Sequence, residues 1–291
     1  MSDQLRTLGR TDVSLSTLGM GCAPLGGLHA PVRTEEARAA IDMAWARGVR
    51  YFDTSPWYGL GLSELRLGEQ LRDRPRPSYT ISTKVGRTLH RPGDRAHRDA
   101  FWRGGLPFGY RFDYSYDGIM RSYEDSLARL GINRVDLLLI HDLDVAEIGS
   151  AEALGNHFRD LERSGWRALE SLRSAGEIRG IGAGVNILGT IPEMLARFDL
   201  DFFLVAMPYT LLDQSPLKEE FPLCAERGVG LAIGSPFASG ILASGSAAEN
   251  PLYNYETAPF PIREKVRRIE EVCDRHGVSL KAAAVQFPLR H

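Results

Sequence analysis

The sequence predicts an α/β fold, a (β/α)8 TIM barrel, formed by residues 1–291 as a single domain. Strand-like and helix-like segments alternate along the chain without a change in composition between them, as they do in parallel sheets joined by crossover helices. Residues 137–140 are apolar throughout, and such strands are typical of a sheet that helices cover on both faces. Polar residues follow several of these segments, and barrels of this kind gather their active sites at the carboxyl ends of their strands.

The alternation consists of seven strand segments and eight helix segments. Apolar and β-branched runs predict strands at residues 17–22, 49–54, 79–84, 135–141, 178–183, 202–206 and 229–234. Apolar residues spaced three and four apart predict helices at residues 34–47, 63–72, 116–130, 158–175, 188–197, 216–227, 263–276 and 280–289. A closed barrel of this type has eight strands, so we expect its eighth βα unit to be missing from this chain.

Capping residues support the predicted helix ends. Thr34 is expected to cap the first helix, with Glu35 and Glu36 in the first turn, where carboxylates favour the helix dipole. Ser279 is expected to cap the last helix. Glycines that suit a left-handed C-terminal cap follow five of the helix segments, namely Gly48, Gly131, Gly176, Gly228 and Gly277.

Two long segments interrupt the alternation. Residues 87–115 are rich in Arg, Gly, Pro and aromatic residues, and residues 235–261 are rich in Ser, Ala, Gly and Pro. Loops of this length in a compact domain usually have a function or are disordered. Because both follow predicted strands, we expect both to lie over the mouth of the active site.

Composition argues against several classes of protein. A net charge of −2, with Lys and Arg scattered, offers no basic stripe for a nucleic acid. Cys22, Cys224 and Cys273 form no paired motif, which favours a reducing compartment. The sequence begins without a secretory signal pattern and has no apolar run long enough to span a bilayer, so we expect a cytoplasmic protein with no membrane partner. We expect a monomer or small homo-oligomer that acts on a small-molecule substrate.

Four residues at or near strand ends could carry acid–base chemistry. Asp53, Lys84 and His141 each close a strand segment, and Tyr58 lies five residues after Asp53. On a parallel barrel these four side chains meet at one mouth and offer a carboxylate, a cation, an imidazole and a phenol. A metal-dependent barrel hydrolase is an alternative, but it needs clustered ligands, and only Asp53 and His141 occupy such places. We therefore expect no metal site.

Several motifs in this chain resemble those of the aldo-keto reductases. They are residues 51–59 (YFDTSPWYG), 81–86 (ISTKVG), 123–131 (YEDSLARLG), 136–141 (DLLLIH) and 182–186 (GAGVN). The resemblance covers the chain from about Leu5 to Arg290 and keeps the motifs in order. It implies a (β/α)8 barrel that binds NAD or NADP without a Rossmann domain.

The resemblance also implies a role for each of the four residues. Tyr58 would be the general acid when a carbonyl is reduced and the base when an alcohol is oxidised. Lys84 would supply a cation that lowers the pKa of the Tyr58 phenol, and Asp53 would pair with Lys84. His141 would hydrogen-bond the substrate oxygen and orient it. The nicotinamide would carry the hydride.

Cofactor contacts are implied in three places. Asn186 matches the family residue that binds the nicotinamide carboxamide, although it could instead form a simple strand-end turn. The segment after the seventh strand, residues 234–240, would bind the pyrophosphate with backbone amides. Its expected contact residues are Ser235, Pro236, Phe237, Ser239 and Gly240. Gly21, Cys22 and Ala23 would line the nicotinamide end together with Asp53.

The chain departs from the family pattern at two positions that bear on the cofactor. Gly234 stands where many members stack a tyrosine on the nicotinamide, and residues 205–209 lack the glutamine that many carry on strand six. The family's last loop and helix grip the adenosine phosphate, and we expect that region to be missing with the eighth unit. The preference between NAD and NADP is therefore left open.

Residues 53–65 (DTSPWYGLGLSEL) and 113–118 (DYSYDG) are similar to one branch of the family. That branch includes the D-threo-aldose 1-dehydrogenases, which oxidise L-fucose or L-galactose, and the pyridoxal 4-dehydrogenases. The resemblance implies that a sugar or pyridoxal-like cyclic hemiacetal is oxidised to a lactone, or that an aldehyde is reduced. A cofactor-binding regulatory subunit without catalysis is the alternative from another class.

Aromatic residues near the predicted mouth could line a substrate pocket. Trp57 could offer a flat face to a sugar or pyridine ring, or it could be a packing residue. A further group in the long loop could form the pocket wall or simply fold on itself: Trp102, Phe108, Tyr110 and Phe112.

Overall fold

The computed structural model describes residues 5–28, 30–92, 101–206 and 208–290. Part of the long segment 87–115 and Met207 of the segment 205–209 lie outside these residues. Within them the strands are β1 (Leu5–Thr7), β2 (Ser14–Ser16), β3 (Met20–Gly21), β4 (Tyr51–Asp53), β5 (Thr80–Val85), β6 (Arg87–His90), β7 (Gly109–Phe112), β8 (Leu137–His141), β9 (Gly180–Val185), β10 (Phe202–Val205), β11 (Gly230–Ile233), β12 (Leu252–Tyr253) and β13 (Glu256–Thr257).

The helices lie mostly between these strands, and the last two follow β13. They are α1 (Thr34–Ala46), α2 (Leu62–Leu71), α3 (Tyr116–Leu130), α4 (Val145–Ile148), α5 (Ala151–Asp160), α6 (Trp166–Ser174), α7 (Thr190–Arg197), α8 (Glu220–Glu226), α9 (Ile241–Ser244), α10 (Phe260–Arg275) and α11 (Leu280–Gln286). A π-helical turn, Leu161–Gly165, joins α5 to α6. None of the helices in the described ranges combines the length and the apolar character that a membrane crossing requires.

One parallel sheet organises the fold. Its seven strands are hydrogen-bonded in the order β3, β4, β5, β8, β9, β10 and β11, and every pair is parallel. The curled sheet and its connecting helices confirm the predicted TIM-barrel architecture. No eighth strand joins this sheet among the residues that the structure describes, so β3 and β11 form its two ends.

The predicted elements are largely confirmed, and the differences lie at their ends. The first predicted strand is reduced to Met20–Gly21, and the helix predicted at 158–175 begins earlier, at Ala151, because Ser150 accepts a hydrogen bond from the backbone N–H of Ala153. Thr34 is not the cap of α1. Arg33 takes that position, and the Glu36 side chain accepts its backbone N–H. All five predicted capping glycines have positive φ, and Ser279 caps α11.

Three hairpins were not predicted: β1 with β2, β6 with β7, and β12 with β13. The first lies at the amino end of the sheet. Its apolar residues Leu8, Val13 and Leu15 form a buried cluster with inward-facing residues of the sheet, namely Tyr51, Leu137, Leu139 and Phe202. The hairpin therefore closes one end of the barrel, which leaves the carboxyl ends of the strands for a site.

Candidate functional site

A buried ion pair joins the ends of β4 and β5. Lys84 Nζ donates to Asp53 Oδ2 at 2.6 Å and to the carbonyl oxygen of Thr54 at 2.9 Å. Ser82 Oγ donates to the other carboxylate oxygen of Asp53 at 2.7 Å. Only 1% of Lys84 is exposed. Because every charged atom of the pair has a partner, the ammonium group is held in one position.

Tyr58 packs against this pair from the loop after β4. The Lys84 ammonium lies 4.7 Å from the centroid of the Tyr58 ring. Burial raises the pKa of the Tyr58 phenol well above 10, and the carboxylates of Asp53 and Asp142 raise it further, whereas the Arg87 cation opposes them. The expectation that a cation lowers this pKa below its usual value is therefore not met in the protein alone, where the phenol stays protonated.

His141 completes the predicted group at the end of β8. Its ring meets the Tyr58 ring edge to face, with centroids 5.8 Å apart. Burial, followed by the cations of Arg87 and Lys84, lowers the pKa of the imidazole well below 6.5. His141 is therefore neutral near pH 7. All four predicted residues are thus gathered at the carboxyl ends of the sheet.

Arg87 is a further residue of this site that the sequence reasoning missed. It is completely buried as the first residue of β6, and its Nη1 lies 3.0 Å from His141 Nδ1. The same guanidinium donates to Asp142 Oδ2 at 3.1 Å and to Glu147 Oε2 at 2.6 Å. The sequence feature that could have indicated Arg87 as a site residue is its position three residues after Lys84, just beyond Gly86.

Asp142 connects His141 to Asn186. Asn186 Nδ2 donates to Asp142 Oδ1 at 2.8 Å, and Asp142 Oδ2 lies 3.1 Å from His141 Nε2. The backbone of Asp142 is left-handed, with φ 41°. Such a conformation is uncommon outside glycine and tends to occur at functional sites.

Aromatic side chains surround the Tyr58 and His141 rings. The Trp57 ring stacks on Phe101 with centroids 5.4 Å apart, and the Arg87 guanidinium lies 4.3 Å from its centroid. Two groups therefore already lie against Trp57, which favours packing over an open face. Trp102 contacts both Trp57 and Tyr58.

The other predicted wall residues divide into two groups. Tyr110 contacts Trp57, with ring centroids 6.4 Å apart. Phe112 meets the Tyr110 ring edge to face and stacks on Tyr114, whereas Phe108 is 41% exposed. Tyr255, which was not predicted, reaches Phe101 from the turn between β12 and β13, so the two long segments meet over the site.

Apart from Asp53 and Asn186, the predicted cofactor residues lie at or after the two edge strands of the sheet, β3 and β11. Cys22 is fully buried after β3, and its backbone N–H donates to the Asp53 carbonyl at 2.8 Å. After β11, Ser235, Ala238 and Ser239 have positive φ. In the described parts of the chain, no group of three or more His, Cys, Asp or Glu side chains is arranged to hold a metal ion.

This chain is similar to known proteins in sequence and in fold. Residues 17–291 match the model of the Aldo/keto reductase family. The chain is 44% identical to a pyridoxal 4-dehydrogenase of Microbacterium luteolum, with 100% of this chain and 86% of that protein covered. It is 36% identical to a D-threo-aldose 1-dehydrogenase of a Pseudomonas species, covering 96% of this chain and 83% of that protein. An aldo-keto reductase of Bacillus halodurans, solved in its holo form, superposes with a TM-score of 0.72 at 26% identity, covering 99% of this chain and 83% of the other.

Proposed function

This chain belongs to the aldo/keto reductase family, and from that premise we propose that it is an NAD(P)-dependent dehydrogenase that oxidises a cyclic hemiacetal to a lactone. The same site would reduce an aldehyde in the opposite direction. The observation that supports this most directly is the contact of the half-buried Tyr58 with Lys84 and His141, which are both buried. A phenol, an ammonium group and a neutral imidazole at one point can move a proton and hold an oxygen atom.

The proposed chemistry follows from the state of each side chain. When NAD(P) is bound, its nicotinamide exchanges a hydride with the substrate carbon. In reduction, the protonated Tyr58 phenol donates its proton to the substrate oxygen. In oxidation, Tyr58 as the phenolate would accept the hydroxyl proton of the hemiacetal, and the exocyclic carbon–oxygen bond would become the lactone carbonyl. The neutral His141 orients the substrate oxygen.

The residues present fit a nicotinamide cofactor. A Cβ atom at Gly21 would meet no atom within 4 Å, and one at Gly184 would lie 3.7 Å from the nearest atom, Lys84 Cε, so both strand ends leave room beside the site. Residues 238–240 have positive φ and follow Phe237, whose φ is negative, and such an alternation can form an anion-binding concavity. The N–H groups of Ala238 and Gly240 already donate to the carbonyl oxygens of Ser235 and Phe237, so other N–H groups of the segment would have to face the anion. We propose that Asn186 holds the carboxamide and that residues 235–240 hold the pyrophosphate.

Two substrate classes remain within this proposal. The higher identity to a pyridoxal 4-dehydrogenase favours pyridoxal in its hemiacetal form, and the aromatic surroundings of Tyr58 suit a pyridine ring. The identity to a D-threo-aldose 1-dehydrogenase supports an aldose such as L-fucose as the second candidate.

A substrate panel tests the proposal. Purified protein is mixed with NAD+ or NADP+ and with pyridoxal, L-fucose, D-arabinose, L-galactose or simple alcohols, and NAD(P)H formation is followed by absorbance. We expect turnover with at least one hemiacetal. Binding of NAD(P)+ without turnover on any compound would instead support the regulatory subunit, and binding of neither nucleotide would overturn the reductase function itself.

A further inference from the structure

Arg87 is a buried cation for which the mechanism above has no use, although it touches His141. We propose that Arg87 is a positioning residue that holds His141 as a neutral imidazole with its proton on Nε2, ready to donate to the substrate oxygen. The inference rests on the proposed function for the meaning of that proton, but the state of the imidazole can be measured without turnover.

The hydrogen-bonding rules of the two side chains carry the argument. A guanidinium group has only donors, and a neutral imidazole has one donor nitrogen and one acceptor nitrogen. Arg87 Nη1 lies 3.0 Å from His141 Nδ1, so Nδ1 is the acceptor. Ser55 Oγ, also 3.0 Å from Nδ1, can donate to the same nitrogen. The remaining proton of the ring is therefore on Nε2.

Carboxylates and aromatic rings hold the Arg87 guanidinium in place through Nη1 and Nη2, whereas its Nε has no hydrogen-bond partner among the described residues. Asp142 and Glu147 accept its Nη1 and Nη2 protons, and its carbon lies 4.3 Å from the Trp57 centroid and 5.2 Å from the Phe112 centroid. Two acceptors and two rings leave a planar group little freedom to turn. Nη1 is therefore kept directed at the imidazole.

The charges around His141 explain why its contact with Arg87 matters. The charged and titratable groups that face it come from several elements: Lys84 on β5, Arg87 on β6, Asp142 beside it, Tyr58 after β4 and Glu147 on α4 through Arg87. Asp142 Oδ2 lies 3.1 Å from His141 Nε2 and alone would favour an imidazolium. Arg87 neutralises that carboxylate and repels the second proton at the same time.

Nitrogen-15 NMR tests the inference directly. The spectra of imidazole-labelled protein distinguish protonated from unprotonated ring nitrogens, and the His141→Gln variant assigns the resonances. In the parent protein we expect an unprotonated Nδ1 and a protonated Nε2 from pH 8 down to pH 6. A proton on Nδ1 would overturn the proposal.

Substitution of Arg87 tests how this residue affects the titration of His141 and the turnover number. In Arg87→Gln we expect His141 to titrate at a higher pH than in the parent, so the turnover number acquires an acidic limb and falls about tenfold at pH 6, with a smaller loss at pH 8. Arg87→Lys retains the charge, so we expect it to keep most of the activity at pH 6. An Arg87→Gln profile parallel to that of the parent would contradict the proposal.

Arg76→Gln is the matched control. Arg76 also pairs with a buried carboxylate, donating to Asp136 Oδ2 at 2.7 Å, but at the amino end of β8. We expect it to lower stability without changing the pH profile or the His141 resonances. If the parent protein shows the expected imidazole but no turnover on the substrate panel, the proposed function fails while the placement of the His141 proton stands.

Discussion

At the scale of single residues, burial governs the Tyr58 phenol. Its raised pKa keeps the proton on the oxygen at neutral pH, which suits donation to a carbonyl. Acceptance of a proton during oxidation requires the phenolate. We therefore expect the oxidative rate to rise with pH across the alkaline range, and the reductive rate to change little there.

The substitution Tyr58→Phe removes the proton donor and leaves the ring. We expect the turnover number to fall by about 10² to 10⁴, the usual contribution of a general acid or base, while the affinity for NAD(P)H measured by fluorescence stays within about twofold of the parent. Tyr123→Phe is the control, since the Tyr123 hydroxyl makes only long contacts with Glu177 outside the barrel. Full activity of Tyr58→Phe would refute the assigned role.

The substitution Lys84→Met removes the ammonium beside Tyr58 and leaves Asp53 buried without its cation. We expect the pH at which oxidation sets in to rise, the rate to fall, and stability to drop by about 3–5 kcal/mol, as for one broken partner of a buried pair. Adding Asp53→Asn should recover much of the stability measured by denaturant unfolding, but not the rate. An unchanged pH profile in Lys84→Met would count against its influence on the phenol.

The sequence could place four residues together, Asp53, Tyr58, Lys84 and His141, because each is a polar residue at or just beyond the end of an apolar strand. Arg87 and Asp142 could not, because their importance depends on contacts between separate strand ends. Whether the pKa of the Tyr58 phenol is raised or lowered also depends on burial, and no local sequence pattern reports burial.

At the scale of elements, the long strands and helices were predictable and the short hairpins were not. Helix α3 has the predicted bounds, Tyr116–Leu130, because its apolar stripe, its Ser115 cap and Gly131 agree. The hairpin of β6 and β7 pairs Arg87 with Phe112, so its two strands are far apart in sequence. Neither strand has a regular alternation of apolar and polar residues. Long-range pairing of this kind leaves little trace in a local window.

Gly86 connects β5 to β6 and positions Arg87. Its φ is +104°, and a Cβ atom there would lie 2.2 Å from the Tyr114 ring, whose hydroxyl donates to the His141 carbonyl. We expect Gly86→Ala to lower stability and activity together. Gly48→Ala is the control, because Gly48 has φ +88° and no atom within 4 Å of its Cβ position.

Both variants carry the cost of a left-handed alanine, about 1 kcal/mol. We expect Gly86→Ala to cost about 1–3 kcal/mol more, as overpacking does, in denaturant unfolding. Equal losses of unfolding free energy in the two variants would show that the Tyr114 ring moves away from the added methyl group and that the crowding is unimportant.

At the scale of the whole molecule, the order of the parallel strands followed from the alternation of segments, since sequential βα units are adjacent in a barrel. The closure of the amino end of the barrel by the hairpin of β1 and β2 did not follow from this alternation. That closure depends on Leu8, Val13 and Leu15, three isolated apolar residues whose partners lie on strands far along the chain.

The hairpin of β1 and β2 also constrains the order in which parts of the chain can fold during synthesis. Arg10 pairs with Asp199, and the nearest atoms around Gly9 belong to Asp201, Gly228 and Gly230. A chain emerges from the ribosome with its amino end first, so the hairpin has to wait for residues made roughly 190 positions later before it can dock. Contacts of such long sequence separation slow folding. The hairpin is therefore synthesised long before the residues it packs against, and its apolar residues stay exposed in the interval.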